Sequence, residues 1–355
     1  MYRCNRAKSI TGIEVLPVTS NIKNLKLTLV KCIWSENTDP YFNLAAEEYL
    51  LKNFNDDIFM IWQSNPAIIV GKHQNALAEI NHRFVQENNI KVARRLSGGG
   101  TVYHDMGNVN FTFIRNGEPG KLVDFRKFTE PVINWLNILG VPVVHGEKND
   151  LLIGSKKISG NAEHVYKTRV LHHGTLLFNS NIEMLNRAIN ATSGVYTDKA
   201  VQSNRSTVTN IYDHLKKTMN VADFKSLLFN YVNNSYADTE VFSFNQADNQ
   251  IIAHLVKEKY VTWKWIYGYS PRYTFNNRIN LGNARLTIEL NVEHGIIINA
   301  FLDPDPFLKK KSRLLSELVM GIKHEESELT GQLKLLVADS KLVADYFNEI
   351  IAGFF

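Results

Sequence analysis

Cysteine is scarce in this chain, and its scarcity excludes several classes of protein. The 355 residues include two cysteines, Cys4 and Cys32, which are too few for a disulfide framework or a cysteine-ligated zinc site. The sequence therefore indicates a reducing compartment. Long apolar runs are lacking as well. Because no stretch of about 18 apolar residues occurs, we expect no membrane-spanning helix and no membrane partner.

The chain also lacks a strong net charge. Its formal charge is +5, with 21% charged and 44% hydrophobic residues, which is the profile of an ordinary globular protein. This mild excess suits anionic small ligands. The basic residues do not alternate with aromatic ones, so we expect no nucleic-acid partner. No helix-turn-helix or other output module is evident, which disfavours a non-catalytic ligand sensor.

Three consecutive glycines follow two arginines, and this run is the strongest indication of a ligand site. Residues 94–108 read RRLSGGGTVYHDMGN. Each glycine costs backbone entropy on folding, and that cost is expected where a ligand lies against bare backbone N–H groups. Arg94 and Arg95 indicate that the ligand carries negative charge. A glycine-rich hairpin turn is the alternative interpretation.

Two later segments carry further polar residues in strand-like patterns. Residues 151–159 predict a β-hairpin with a Gly-Ser turn, which would place Asp150 and Lys157 on facing strands. The strand predicted over Val170–Phe178 contains two histidines and Gly174. A glycine inside a strand suggests close approach by a ligand or by another backbone segment.

Together these segments resemble the lipoate–protein ligase A family over roughly residues 28–355. The motif R-R-x-S-G-G-G-x-V-x-H-D-x-G-N is complete, and Trp263–Gly268 is similar to the opening of the family's small C-terminal domain. The five ordered blocks are D-P-Y-F-N-L-A-A-E-E (Asp39–Glu48), G-K-H-Q-N (Gly71–Asn75), the glycine run (Arg94–Asn108), N-D-L with K-I-S-G-N-A (Asn149–Ala162) and H-H-G-T-L-L (His172–Leu177).

The predicted elements indicate an α+β fold. Short strands and helices alternate without a strict βαβ rhythm, so we expect a mixed, mainly antiparallel sheet flanked by helices, followed by a small α+β accessory domain. The predicted division is a disordered tail over 1–24, a lipoate- and adenylate-binding catalytic domain over 25–245 and an accessory domain over 250–355. The basic residues of the first 13 positions weakly resemble a transit peptide. We favour a disordered tail or a misplaced start codon over a transit peptide, and we expect a cytoplasmic protein of bacterial type, with a mitochondrial location as the alternative.

The resemblance implies a lipoate–protein ligase. Such an enzyme converts (R)-lipoate and ATP, with Mg²⁺, into lipoyl-AMP, and then acylates a lysine on a carrier domain. The implied carriers are the lipoyl domains of 2-oxoacid dehydrogenase E2 subunits and the glycine cleavage H protein, and the implied enzyme is a monomer. The alternative is a lipoyltransferase that uses preformed lipoyl-AMP or another acyl donor without ATP. A cysteine-dependent octanoyltransferase is disfavoured because both cysteines lie outside the motif blocks.

The resemblance also assigns site residues. Lys157 is the expected catalytic cation at the α-phosphate, with Lys156 facing away from the site. Asp150 is the expected magnesium anchor. The expected lipoate and lipoyl-AMP contacts are Arg95, Ser97, Gly98, Gly99, Gly100, His104, Asn108, Ser159, Gly160, Ala162 and His173. The expected ATP and adenylate contacts are Gly100, Thr101, Val102, Tyr103, Asn108, Asn149, Asp150 and Lys157.

Several of these residues have plain structural alternatives. His104 and His173 would equally suit hydrogen-bonded core positions, and Asp150 would suit a turn. Lys148 and His164 stand where arginine is frequent in the family, so the phosphate contact there is open. Lys167 or Arg169 would be the substitutes.

Overall fold

The computed structural model describes residues 29–117, 120, 122–189, 194–203, 206–304, 309–338 and 341–355. The tail predicted over 1–24 lies outside these residues. Among the helices that are described, none combines the length and the apolar character that crossing a bilayer requires.

The elements follow the chain as short strands interspersed with helices. The strands are β1 (Val30–Trp34), β2 (Asp57–Trp62), β3 (Ala67–Val70), β4 (Lys91–Arg94), β5 (Val102–His104), β6 (Asn108–Asn116), β7 (Val143–His145), β8 (Asp150–Ile153), β9 (Lys156–Tyr166), β10 (Arg169–Leu177), β11 (Val195–Asp198), β12 (Thr239–Phe242), β13 (Tyr273–Leu281), β14 (Ala284–Glu293) and β15 (Ile296–Pro304). The helices are α1 (Pro40–Asn53), α2 (His82–Glu87), α3 (Phe125–Ile138), α4 (Ile182–Ala188), α5 (Val221–Asn234), α6 (Gln246–Leu255), α7 (Trp263–Ile266), α8 (Lys309–Val319), α9 (Glu326–Val337), α10 (Lys341–Asp345) and α11 (Phe347–Ala352).

The predicted fold class is confirmed. Within the described residues, eight strands form a large mixed sheet in the order β12-β1-β2-β6-β10-β9-β8-β7. Strand β1 runs parallel to both of its neighbours, and the remaining pairs are antiparallel. A three-stranded sheet, β4-β3-β5, lies beside it and leads directly into and out of the glycine run.

Helices cover both faces of the large sheet. Helices α3 and α5 pack on one face around a core that includes Phe111, Phe113 and Phe224. Helix α1 packs on the other face, because its apolar residues Leu44, Ala45 and Leu50 are fully buried there. The start of α1 is fixed by Asp39, whose carboxylate accepts hydrogen bonds from the backbone N–H groups of Tyr41 and Phe42. Pro40 occupies the first helical position.

Strands β13, β14 and β15 of the C-terminal part form a four-stranded sheet with β11, which lies earlier in the chain, in the order β11-β13-β14-β15 among the described strands. The core beneath it also contains residues of β3 and α2, such as Ile68 and Phe84. The segment between the two sheets, α6 and the turn of π-helix at Val256–Tyr260, packs on α1 instead. The division at residues 245–250 therefore stays a prediction, and the packing describes two sheets that share apolar contacts.

Candidate active site

The glycine run forms a loop that Arg95 holds in place. The Arg95 guanidinium donates to the carbonyl oxygens of Gly98 at 2.6 Å and Gly100 at 2.7 Å, and to Ile69 O at 2.9 Å. Gly99 has φ of +83°, a left-handed conformation that glycine adopts without strain. The loop is thus turned around the Arg95 side chain, and burial lowers the pKa of that side chain to about 10.

Arg94 has a different role from the one that we inferred from its charge. It is fully buried and donates to the carbonyl oxygens of Gly71 at 2.9 Å, Gln74 at 2.8 Å and Ile266 at 2.5 Å. All of its nitrogens have protein partners, and this holds for Arg95 too. Both guanidinium groups therefore hold backbone carbonyl oxygens, and the inference from these arginines to an anionic ligand stays a prediction.

Two adjoining cavities, of about 330 and 510 Å³, share lining residues that include Lys157 and Gly160 of the hairpin strand β9. The predicted residues that line the first are Arg95, Gly98, Gly99, Gly100, Thr101, Val102, His104, Asn149, Asp150, Lys157, Gly160, Ala162 and His173. Those that line the second are Thr101, Val102, Tyr103, Lys157, Ser159 and Gly160. Ser97 and Asn108 are fully buried behind the walls. Asn108 donates to Asn110, which does line the first cavity.

Lys157 lies in the wall that the two cavities share. It is half-buried, whereas Lys156 is exposed, as strand alternation predicts. Burial lowers the pKa of Lys157, and the facing carboxylate of Asp150 opposes that shift. The ammonium group is therefore a poorly solvated cation in contact with both cavities.

Asp150 is the carboxylate that lines the first cavity beside Lys157. Within the described residues, no group of three His, Cys, Asp or Glu side chains could hold a metal ion. One carboxylate is nevertheless enough for Mg²⁺, which is commonly held by one or two carboxylates together with substrate phosphates and water. The residues present therefore fit a magnesium ion that arrives with a nucleotide, and they do not form a resident metal centre.

A buried network that the sequence did not reveal stands behind the glycine loop. His173 lines the first cavity, and its Nδ1 lies 3.0 Å from both carboxylate oxygens of Glu47 on α1. Its Nε2 lies 2.6 Å from Ser97 Oγ, which also accepts from Arg95. Both ring nitrogens have hydrogen-bond partners in the protein, so the His173 ring lines the cavity in a fixed orientation.

Ser203 and Glu79 also contact the loop and were missed. Ser203 Oγ accepts from Thr101 N–H at 2.8 Å and donates to the Glu79 carboxylate. Both residues line the second cavity. They come from segments with no recognisable motif, so only the structure brings them to the site.

We suggested Lys167 or Arg169 as substitutes for the two family arginines that this chain lacks. For Arg169 the suggestion was wrong. This side chain is buried and donates to the carbonyl oxygens of Asn55 and Asp56. Lys167 lies over the ring of Tyr166 in a turn. Burial lowers the pKa of His164, Lys72 and Lys259 lower it further, and Glu48 opposes the shift. Lys148 lines the first cavity.

Cys32 does not reach either cavity. It is fully buried in β1, and burial raises its pKa to about 11. A thiol of this kind is a poor nucleophile, because the thiolate is the reactive form. Cys4 lies outside the described residues.

Comparisons with known proteins agree with this architecture. A family model for the lipoyl protein ligase A/B catalytic domain matches residues 39–233. The lipoate-protein ligase LplJ of Bacillus subtilis is 36% identical over 300 residues, which cover 83% of this chain and 91% of that protein.

Two solved structures share the fold. LipL1 of P. falciparum, in complex with lipoate, is 25% identical with a TM-score of 0.58, over 86% of this chain and 94% of that one. A bipartite lipoate protein ligase of Thermoplasma acidophilum, studied with its E2 lipoyl domain, is 25% identical with a TM-score of 0.59, over 68% of this chain and 97% of that one.

Proposed function

The chain belongs to the lipoate–protein ligase family, and from this premise we propose that it activates lipoate with ATP as lipoyl-AMP and transfers the lipoyl group to a carrier lysine. The observation that carries the proposal is the position of Lys157 in a wall common to two cavities. Two ligands that meet at one cation are what an acyl-adenylate reaction requires.

The linings suggest which ligand occupies which cavity. The first has apolar side chains, among them Leu44, Trp62 and Ile69, which suit the lipoyl chain. The second combines apolar residues such as Leu177 with polar ones such as Asn75 and Asp198, which suit a nucleoside. The carboxyl end and the α-phosphate would then meet beside Lys157.

The proposed chemistry has two steps. In the first, a carboxylate oxygen of lipoate attacks the α-phosphorus of ATP and pyrophosphate leaves. In the second, the ε-amine of a carrier lysine attacks the acyl carbon and AMP leaves. Negative charge gathers at the α-phosphate in both transition states, where the poorly solvated Lys157 ammonium stabilises it more than in the ground states.

The glycine loop and Asp150, which line the first cavity, would contact the phosphates at the point where the two ligands meet. Glycines 98–100 let ligand atoms approach the backbone, with Arg95 keeping the loop in one conformation. Asp150 would hold Mg²⁺ together with the phosphates, and the ion would supply charge neutralisation there. The roles of all these residues are part of the proposal.

The carriers we propose are lipoyl domains of E2 subunits, with the glycine cleavage H protein as a second substrate. The support is the Thermoplasma relative, which was studied with its E2 lipoyl domain. We place the enzyme in the cytoplasm, where ATP and such carriers occur together, and we expect it to act as a monomer.

The test is the mass of a purified lipoyl domain after incubation with the full chain, lipoate and MgATP. The proposal predicts a mass increase of one lipoyl group that requires ATP. Modification by added lipoyl-AMP alone, with none from lipoate and ATP, would instead support the lipoyltransferase.

A further inference from the structure

A second carboxylate, Glu163 on β9, lines the first cavity. Its side chain is 3% exposed, and Oε1 lies 2.9 Å from Nδ1 of His172. Among the described residues, Oε2 has no hydrogen-bond partner. An unpartnered buried carboxylate oxygen is costly, so its presence at a ligand cavity points to a function.

His172 holds Glu163 in place. The imidazole is fully buried on the α3 face of the sheet and stacks on Phe128, with ring centroids 5.1 Å apart and planes 15° apart. Phe111 stacks on it as well, at 6.0 Å. Because the ring is fixed by aromatic packing, Oε1 is fixed too, and Oε2 is the oxygen left for a ligand.

We propose that Glu163 is the general base that takes a proton from the carrier lysine before that lysine attacks the acyl-adenylate, with His172 as its positioning residue. The inference rests on the proposed function. A lysine ε-amine reaches the enzyme as an ammonium ion with no lone pair to donate, so a base at the cavity is needed.

The step balances as follows. The ammonium gives one proton to Oε2 of Glu163, and the freed lone pair forms the N–C bond at the acyl carbon. The bond from that carbon to the phosphate oxygen breaks, and AMP leaves with its electron pair. The second nitrogen proton passes to the departing phosphate, which leaves a neutral amide.

The other titratable groups of the first cavity suit this task less well. His173 has both ring nitrogens bonded, and burial lowers the pKa of His104 to about 3. Asp150 faces Lys157 and is the proposed magnesium anchor. Burial raises the pKa of Glu163 to about 7, with the Asp124 backbone N–H partly opposing it, and a base with a pKa near the working pH is effective.

The charged and titratable groups around Glu163 come from three directions. His172 contacts it from β10 with a pKa held well below its usual value by burial, so this ring stays neutral. Asp124 approaches from the start of α3, where its backbone N–H lowers the pKa of Glu163 and its negative charge raises it by less. Lys148 and Asp150 lie across the cavity, and Lys157 is on the same strand.

The experiment compares the full chain with Glu163→Gln in the two half-reactions separately. The rate at which Glu163→Gln exchanges pyrophosphate into ATP in the presence of lipoate should stay within about twofold of the parent's rate, since activation involves no amine. Transfer to a lipoyl domain at pH 7.5 should fall by about a hundredfold, the usual contribution of a general base. Hydroxylamine, whose nitrogen is already unprotonated at neutral pH, should trap lipoyl-AMP equally fast in both proteins.

The pH profile separates a base from a merely structural residue. Glu163 is active when ionised, so wild-type transfer should rise with pH and level off above about 7. Glu163→Gln should instead keep rising by about tenfold per pH unit as free lysine loses its proton. Glu163→Asp keeps a carboxylate and should keep the levelling, while Glu147→Gln, at an exposed position, should match the parent.

Three outcomes would overturn the inference: normal carrier transfer by Glu163→Gln, an equal loss with hydroxylamine, or a Glu163→Asp profile without levelling. If Glu163→Gln does not fold, the pH profile of Glu163→Asp tests the inference. Absence of lipoate-dependent exchange in the parent is a different result, because it would contradict the proposed function itself.

Discussion

Lys157 and Lys156 are neighbours on β9, yet only Lys157 contacts the cavities. We predict that Lys157→Ala lowers turnover at least a hundredfold, because a cation aimed at developing charge contributes roughly 3–4 kcal/mol. Its free energy of unfolding should change by about half a kcal/mol or less, since burial already disfavours the charged form. Lys156→Ala is the control, and equal turnover of the two variants would place the catalytic charge elsewhere.

Glu47 and Glu48 are adjacent buried acids with different partners. Glu47 accepts from Thr112 Oγ1 at 2.5 Å and faces His173, whereas Glu48 pairs with Lys52 and Lys259. Glu47→Gln places an amide N–H₂ where only acceptors fit, which should cost roughly 1–3 kcal/mol of stability. It should also raise the KM for lipoate severalfold, because His173 loses its anchor.

Glu48→Gln is the matched variant for that prediction. It removes one ion pair within α1, to Lys52, and one that joins α1 to the turn of π-helix after α6, to Lys259. It should therefore lower the melting temperature and leave the KM for lipoate unchanged. If both variants changed the KM alike, the Glu47–His173 contact would have no special part in binding.

At the scale of elements, substitutions at two positions of the glycine loop distinguish an effect on backbone conformation from an effect on ligand binding. A Cβ on Gly98 would meet nothing within 4 Å, whereas Gly99 has φ of +83°. Gly99→Ala should therefore lose roughly 1–2 kcal/mol of stability from backbone strain. Gly98→Ala should melt like the parent but bind lipoate or ATP more weakly in calorimetry. Parental affinities for Gly98→Ala would mean that ligands do not lie against this loop.

Most elements were predictable because their signals are local. Asp39 and Pro40 begin α1, and Gly154 stands in the turn between β8 and β9 with φ of +59°. For the C-terminal part the sequence led us to expect strands near 284–291 and 295–301 and helices at 249–260, 311–321 and 340–351, without β13 and α9. Tyr273, Phe275 and Leu281 alternate with polar residues, and the leucines of α9 at 329, 333 and 336 form a buried stripe, so both signals were present in the sequence.

The candidate site was predictable only where a motif carried it. Contacts of high sequence separation, such as Glu47 with His173 across 126 positions, leave no local pattern. Glu163 looks like an ordinary strand residue until its side chain is found between His172 and the cavity. The arginines show that a charge pattern does not identify its own partners, because both side chains bind backbone carbonyl oxygens around the loop.

At the scale of the whole molecule, buried hydrogen bonds join the N-terminal elements to the helical segment that precedes the C-terminal sheet. Arg94 donates to carbonyl oxygens both in the loop after β3 and in α7, and Tyr49 on α1 donates to Asp248 on α6 at 2.5 Å. We therefore predict one cooperative unfolding transition in calorimetry. Arg94→Met should lower the temperature of that single transition, because several buried carbonyl oxygens lose their hydrogen-bond donor. Two resolved transitions in the parent would show that the sheets fold independently.

The central claim is that this chain forms the acyl-adenylate itself, and pyrophosphate release tests it most directly. The full chain should release about one equivalent of pyrophosphate from MgATP when lipoate is added, and then stop until a lipoyl domain is supplied. Lys157→Ala should release it at least a hundredfold more slowly. No lipoate-dependent release, with transfer from added lipoyl-AMP intact, would contradict the account and leave a transferase in place of a ligase.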